Sequence, residues 1–418
     1  MMISKTQVEN AKDGVLTSEM QYVAEAEGLD EQLVVEGVAS GSLVIMTRRK
    51  CPPVAIGKGA RTKINVNLGT SSASINPASE LDKVRIAGKY GADTITDLSM
   101  GGDISKIRRM VFENTQLPIT TVPIYQTIVE CGMNETTTED IFSYLREHVE
   151  EGVSSVLLHC VDRDMLEQLK GSGRVMGMVS KGGSFTSTFM LLNDCENPFI
   201  EHFEELAGIL KKNDVVLSLG NTMRSGCVHD LRDKAQIMEA RRNADLARKA
   251  NEMGVQVIIN GMGGHIPASD IPASVRFYKE TADFPLFVAG PLPTDIAVGY
   301  DHIAGAVGAS LASGAGADYL CYITPAEHLS LPDPQQVKEG LIAFRIAAHI
   351  GDSMKYGLDD RDLMLARKRA AFDWRGQAEL ALDPDRPEQI CPQQDGPCSM
   401  CGDYCAIKIM KDYLSGDN

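Results

Sequence analysis

Between residues 61 and 330 the sequence repeats one unit: a short β-branched run, a polar or glycine-rich loop, then an amphipathic helix, roughly every 30 residues. The runs are Thr62–Gly69, Ala92–Ser99, Ile119–Gln126, Ser154–Cys160, Val175–Ser180, Val215–Gly220, Val255–Gly261, Pro285–Pro291 and Asp318–Thr324. They are continuously apolar rather than alternating, as strands covered on both faces are. Helical stretches such as Glu139–Val149, Phe199–Lys212 and Asp230–Met253 lie between them. The pattern predicts an α/β fold, a (β/α)8 TIM barrel, with a helical C-terminal region carrying a cysteine cluster loop. Nine runs compete for eight places, so one is misassigned or accessory. An open doubly wound sheet is the rival architecture.

Polar residues stand where these runs end. Asn67, Asp97, Tyr125, His159, Ser180, Asn221, Asn260 and His328 sit at or just past the carboxyl ends of strand candidates. In a barrel such positions converge on one mouth, where active sites form. Each has a plainer explanation taken alone: Tyr125 as core, Asn67 as a turn former, Asp97 as a helix cap.

Beyond Pro325 the pattern changes. Helical stretches at about Pro334–Tyr356 and Asp360–Leu382 have no strand between them, and a Pro-, Asp- and Gln-rich linker runs from Asp383 to Pro397. A cysteine loop and a short helix near Ile407–Tyr413 follow. The chain thus divides into a lead-in over 1–60, a barrel over 61–330, a helical region over 331–390, and a cluster loop and tail over 391–418. A net charge of −16 argues against a nucleic-acid partner. No apolar run reaches the length of about 18 residues that a membrane helix needs. Met1–Gln7 holds no apolar stretch resembling a signal peptide. Ten cysteines without a disulfide-like framework fit a reduced, cytoplasmic setting.

Three of those cysteines crowd the run Cys398-Ser399-Met400-Cys401-Gly402-Asp403-Tyr404-Cys405, with no fourth at matching spacing. A closed zinc site and an electron-transfer cubane each normally take four protein ligands. Three thiolates from Cys398, Cys401 and Cys405 would hold three irons of a [4Fe-4S] cluster. The fourth iron would stay open to the amino and carboxylate groups of S-adenosylmethionine, a radical-generating cofactor. A zinc knuckle completed by Cys391 or a distant histidine is the alternative.

Longer motifs carry a family resemblance. They include Lys63-Ile64-Asn65-Val66-Asn67-Leu68-Gly69, Thr121-Val122-Pro123-Ile124-Tyr125-Gln126 and Val179-Ser180-Lys181-Gly182-Gly183-Ser184. Gly290-Pro291-Leu292-Pro293-Thr294-Asp295-Ile296-Ala297 and Leu320-Cys321-Tyr322-Ile323-Thr324-Pro325-Ala326-Glu327-His328-Leu329 continue the match. With the cysteine run, these resemble the thiamin pyrimidine synthase (ThiC) family of radical S-adenosylmethionine enzymes. The resemblance implies a barrel, a homodimer in which the cluster loop reaches the partner's barrel mouth, an external electron donor, and aminoimidazole ribotide as substrate. It implies zinc or another divalent metal on His265 and His328. It also implies substrate contacts at Asn67, Thr96, Tyr125, His159, Ser180, Lys181, Gly182, Asn221, Arg224, Asn260 and Phe287. Catalytic roles fall on Asn260 and on Cys321, whose thiol either relays a hydrogen atom or is a small apolar core residue.

The chain departs from the thiamin enzymes at substrate-contacting positions. An Asp-Gly-Leu-Arg turn reads Asn221-Thr222-Met223-Arg224, and a Glu-Gly-Pro-Gly-His loop reads Asn260-Gly261-Met262-Gly263-Gly264-His265. Thr96 replaces a methionine, Phe287 a tyrosine, and the second cysteine interval is one residue shorter. Two carboxylates become amides, which neither accept protons near neutral pH nor pair with a cation. The expectation is therefore the paralogous reaction that makes 5-hydroxybenzimidazole, a cobamide lower-ligand precursor. Phosphomethylpyrimidine synthesis is the alternative, and a non-catalytic iron–sulfur or zinc protein the remote one.

Overall fold

The computed structural model describes residues 5–48, 51–230, 232–391 and 395–414. The start of the N-terminal stretch (1–4) and positions 392–394 of the polar linker lie outside the described residues. Two compact units are present, Met1–Lys355 and Tyr356–Asn418.

The first unit is a closed parallel barrel. Its strands are β1 (Lys63–Leu68), β2 (Thr94–Asp97), β3 (Ile119–Thr121), β4 (Ser155–Leu158), β5 (Val216–Leu219), β6 (Val257–Asn260), β7 (Leu286–Ala289) and β8 (Tyr319–Cys321). Each pairs in parallel with its sequence neighbour, and β8 closes on β1 through Leu320 opposite Ile64. The doubly wound alternative is thereby excluded. The strands are nearly all buried from end to end, which explains the continuous apolar runs.

Two expectations need correction. The run Val175–Ser180 is the misassigned ninth candidate: it forms an irregular segment that ends at Ser180, the N-cap of helix Lys181–Leu192. Its backbone is satisfied by side chains instead of a neighbouring strand, with the Val175 and Met176 N–H groups donating to Asp230 at 2.8 and 2.9 Å. Val175 itself is 75% exposed, so its β-branched side chain never joined a core. Likewise the run expected as a strand through Gln126 stops at Thr121. Pro123 opens helix Pro123–Cys131 there, because its fixed φ and missing N–H suit the first turn.

The amino end of the barrel is covered. An antiparallel hairpin, Leu43–Met46 with Val54–Gly57, places Val44, Met46 and Ile56 in one apolar cluster with Val216, Ile258 and Tyr319. Gln256 acts as a surrogate strand, accepting from the Ile45 N–H at 2.7 Å and donating to the Ile45 carbonyl at 3.1 Å. On the flank, helix Pro334–Tyr356 buries Val337, Leu341, Phe344 and Ala347 against β-strand residues such as Ile64 and Leu320. It occupies the place of the eighth barrel helix. Asp352 on it accepts from the Thr62 N–H at 3.0 Å, just before β1.

The second unit is helical. The stretch expected as one helix over Asp360–Leu382 is two, Asp360–Ala370 and Trp374–Leu380. Phe372 interrupts them at φ +57°, and Asp373 caps the second by accepting from the Gly376 N–H at 2.7 Å. Among the described residues no helix is long and apolar enough to cross a membrane.

Replacing Phe344, fully buried between helix Pro334–Tyr356 and the barrel, with Ala should cost about 3–5 kcal/mol. Urea denaturation followed by circular dichroism reads that loss as a lower midpoint at unchanged slope.

Candidate functional site

A cavity of about 340 Å³ opens at the carboxyl ends of the strands. Asn67, Thr96, Tyr125, His159, Ser180, Asn221, Arg224, Asn260, His265, Phe287, Cys321 and His328 all line it. Lys181 and Gly182 do not; they stand behind the wall. The Lys181 ammonium lies 5.5 Å from the Tyr125 ring centroid. Gly182 backs the His159 ring so closely that a Cβ there would lie 2.5 Å from it, which only glycine allows. Asp97 is no part of the lining: it accepts from the Ser99 N–H at 2.9 Å and hydroxyl at 2.6 Å, as a turn former does.

One wall offers hydrogen-bond donors. Ser180 accepts from the Gly183 N–H at 3.2 Å, so its proton is free to go to His159 Nε2, 2.9 Å away. Burial, reinforced by Arg224, drives the His159 pKa down to about 3, so the ring is neutral. Its Nδ1 is buried without a hydrogen-bond partner among the described residues. Arg224 donates to the carbonyls of Asn221 and Val179, both at 3.1 Å, and pairs with no carboxylate among the described residues. A guanidinium has five N–H donors, so this wall suits an anion. The N-terminus of helix Lys181–Leu192 adds its dipole.

The floor is amide and thiol. Asn67 Nδ2 lies 3.0 Å from Cys321 Sγ, and Asn65 holds Asn67 through a 2.7 Å bond between their side chains. Thr96 donates to the Asn65 oxygen at 2.9 Å, which ties β2 into the same network. Burial raises the Cys321 pKa to about 12, so the group is a neutral S–H at physiological pH. Asn260 donates to Ser218 at 2.7 Å, and Phe287 stacks on Tyr319 with ring centroids 4.1 Å apart.

The rim holds the two imidazoles. His265 and His328 face each other with Nε2 atoms 3.4 Å apart. Asp295 lies 2.5 Å from His265 Nδ1, and Asp301 lies 3.6 Å from His328 Nδ1. A carboxylate behind each ring is how metal-ligating histidines are commonly oriented. The rim loops are held by backbone pairing: His265 N–H donates to Ser225 at 3.2 Å and Ile266 N–H to Leu292 at 2.9 Å. His328 sits at φ +62°, a conformation that costs a non-glycine residue and clusters at functional sites. Among the described residues no three His, Cys, Asp or Glu side chains converge on one point. The pair fits a divalent ion whose remaining positions are filled by non-protein groups.

In the second unit Cys398, Cys401 and Cys405 are free thiols on a run of turns that starts with Gly402 N–H donating to the Cys398 carbonyl at 3.0 Å. Cys405 then caps helix Ala406–Leu414, accepting from the Ile409 N–H at 2.9 Å. Three thiols on one short run of turns are a donor set suited to iron–sulfur chemistry. Sequence reasoning passed over Asp295, Asp301 and Glu327, although all three lie within or beside the motifs that carried the resemblance. Glu327 lines the cavity next to His328, with its carboxyl pushed up by burial and drawn down by that imidazole.

Residues 6–412 match the model of the radical SAM ThiC family. The chain belongs to that family. Curated relatives named phosphomethylpyrimidine synthase agree along nearly the whole length. The Thermoanaerobacter sp. (strain X514) protein is 44% identical over 425 residues, covering 98% of each chain. The Geobacter metallireducens protein is 42% identical over 429 residues, covering 99% of this chain and 98% of its own. The Methanospirillum hungatei JF-1 protein is 43% identical over 415 residues, covering 96% and 97%. Membership of this family implies S-adenosylmethionine and an iron–sulfur cluster as cofactors.

A thiol with its pKa raised to about 12 does not alkylate as a thiolate. Iodoacetamide at about pH 8 should leave Cys321 unmodified in the native, cluster-free protein and label the exposed Cys401. Peptide mass spectrometry should find Cys321 labelled only after unfolding.

Proposed function

We propose that this enzyme rearranges aminoimidazole ribotide by radical chemistry in the barrel cavity. The observation that carries the reading is Arg224, half-buried in the cavity wall without a carboxylate partner among the described residues, beside a glycine-opened helix N-terminus. Such a wall binds a phosphate monoester. Asn67, Tyr125 and Asn260 then face the heterocycle end of the substrate, and the Cys321 thiol can give a hydrogen atom to a carbon radical without first losing a proton. Cys398, Cys401 and Cys405 would hold a [4Fe-4S] cluster, leaving one iron for S-adenosylmethionine; when bound and reduced, the pair supplies the carbon-centred radical. His265 and His328 would hold zinc or another divalent ion, with Asp295 and Asp301 orienting them. A homodimer and an external electron donor complete the reading.

The product divides into two readings. The names of the relatives support hydroxymethylpyrimidine phosphate, the thiamin precursor, better than the benzimidazole expected from sequence. The specific observation favouring 5-hydroxybenzimidazole is that the cavity presents amides at Asn221 and Asn260. Neither amide can take a proton from the substrate.

Anaerobic incubation of reconstituted protein with ribotide, S-adenosylmethionine and a reductant should release 5′-deoxyadenosine and one of the two products, identified by mass spectrometry. Absence of 5′-deoxyadenosine would overturn the radical reading. Alanine at Cys398, Cys401 or Cys405 should abolish the cluster's visible absorbance, whereas Cys391→Ala should keep it. On the metal side, His265→Ala/His328→Ala should lose divalent metal by elemental analysis, and Asp295→Asn should weaken its affinity by about 10–100-fold.

A further inference from the structure

Behind the cavity wall lies a carboxylate that no step above uses. Glu239, on helix Lys234–Glu252, is 1% exposed. Its oxygens accept from Asn221 Nδ2 at 2.8 Å, from the Thr222 N–H at 2.6 Å and from the Met223 N–H at 2.9 Å. No cation pairs with it among the described residues; burial pushes its pKa up to about 7, and three donors from one turn partly offset that cost. That turn carries Asn221 and Arg224 into the cavity. It also packs against the anion wall, since a Cβ on Gly183 would come within 2.4 Å of the Thr222 methyl.

The bonds give the Asn221 amide one sense. Its nitrogen points back at Glu239, while its oxygen lies 3.4 Å from the Gly263 N–H in the loop that leads to His265. A carboxylate at position 221 would meet Glu239 at the same short separation, where the two must either repel or share a proton that the native pair does not need. The amide avoids that conflict and leaves the pair with a single titratable group.

We propose that Glu239 is a positioning residue that fixes the orientation of the Asn221 amide and, through the 221–224 turn, aims Arg224 at the substrate's anionic group. The aim at an anion rests on the substrate reading above; the pairing of Glu239 with position 221 does not. Charge can be exchanged between the partners: Asn221→Asp with Glu239→Gln again places one carboxylate against one amide, at the loss of the acceptor for the Met223 N–H, which shares its Glu239 oxygen with Asn221.

The test is a double-mutant cycle on the full chain, reading the thermal midpoint without substrate and the Kd for aminoimidazole ribotide by calorimetry. Asn221→Asp should lower the midpoint and weaken binding by about tenfold or more. The double variant should recover part of both losses, binding at least about threefold tighter than Asn221→Asp. Glu239→Gln is informative if it folds, but the native, Asn221→Asp and double proteins suffice. Absence of recovery in both readouts overturns the pairing. Midpoints that shift while the Kd of every variant stays at the native value overturn the positioning role and leave a structural one. If no protein binds ribotide while the midpoints recover, the pairing stands and the substrate reading fails.

Discussion

Closing eight parallel strands into one ladder is the constraint on which the rest of the structure depends. Every strand has a hydrogen-bonded neighbour on both sides, so the barrel has no edge, and its strands are only three to six residues long. Strands that short cannot themselves carry many functional groups. Polar side chains collect instead at the last strand residues and in the loops just beyond, and closure brings them within reach of one another. Asn67 on β1 and Cys321 on β8 are 254 residues apart in sequence and touch because β8 closes on β1.

The mouth is divided chemically. Hydrogen-bond donors occupy one wall, amides and a protonated thiol the floor, and carboxylate-backed imidazoles the rim. Each division has a separate support. Glycines let the anion wall approach His159, Asn65 ties the floor together, and backbone pairing across Ser225, His265 and Leu292 fixes the rim. Radical chemistry gains from such rigid placement, because a reactive carbon centre attacks whatever hydrogen donor lies nearest.

Much of this was legible in the sequence, for physical reasons that differ by element. Buried strands leave continuous apolar runs, and eight of nine runs were strands. Val175–Ser180 had the same composition, but composition does not show whether a neighbouring strand or the Asp230 side chain will satisfy the backbone. The break at Thr121 was signalled by Pro123, whose preference for a helix start outweighed the apolar run. Motif residues such as Arg224 and His265 were found by their flanking sequence. Glu239 left no such trace: on a helix of mixed polarity it looks like any solvent-facing glutamate, and only the tertiary fold turns it inward. Asp295 stood inside a matching motif and Asp301 just beyond it, yet which carboxylate lies behind which imidazole is set by loop geometry alone.

The hairpin at the amino end of the barrel has an effect on what happens at the other end. Val44, Met46 and Ile56 cork the bore against Val216, Ile258 and Tyr319. A corked bore is a flask with one neck. Water, oxygen and stray hydrogen donors then meet apolar side chains instead of an open channel at this end. Protection of a short-lived species inside then turns on how well the mouth is stoppered, and a lead-in segment at the far end helps to set the answer.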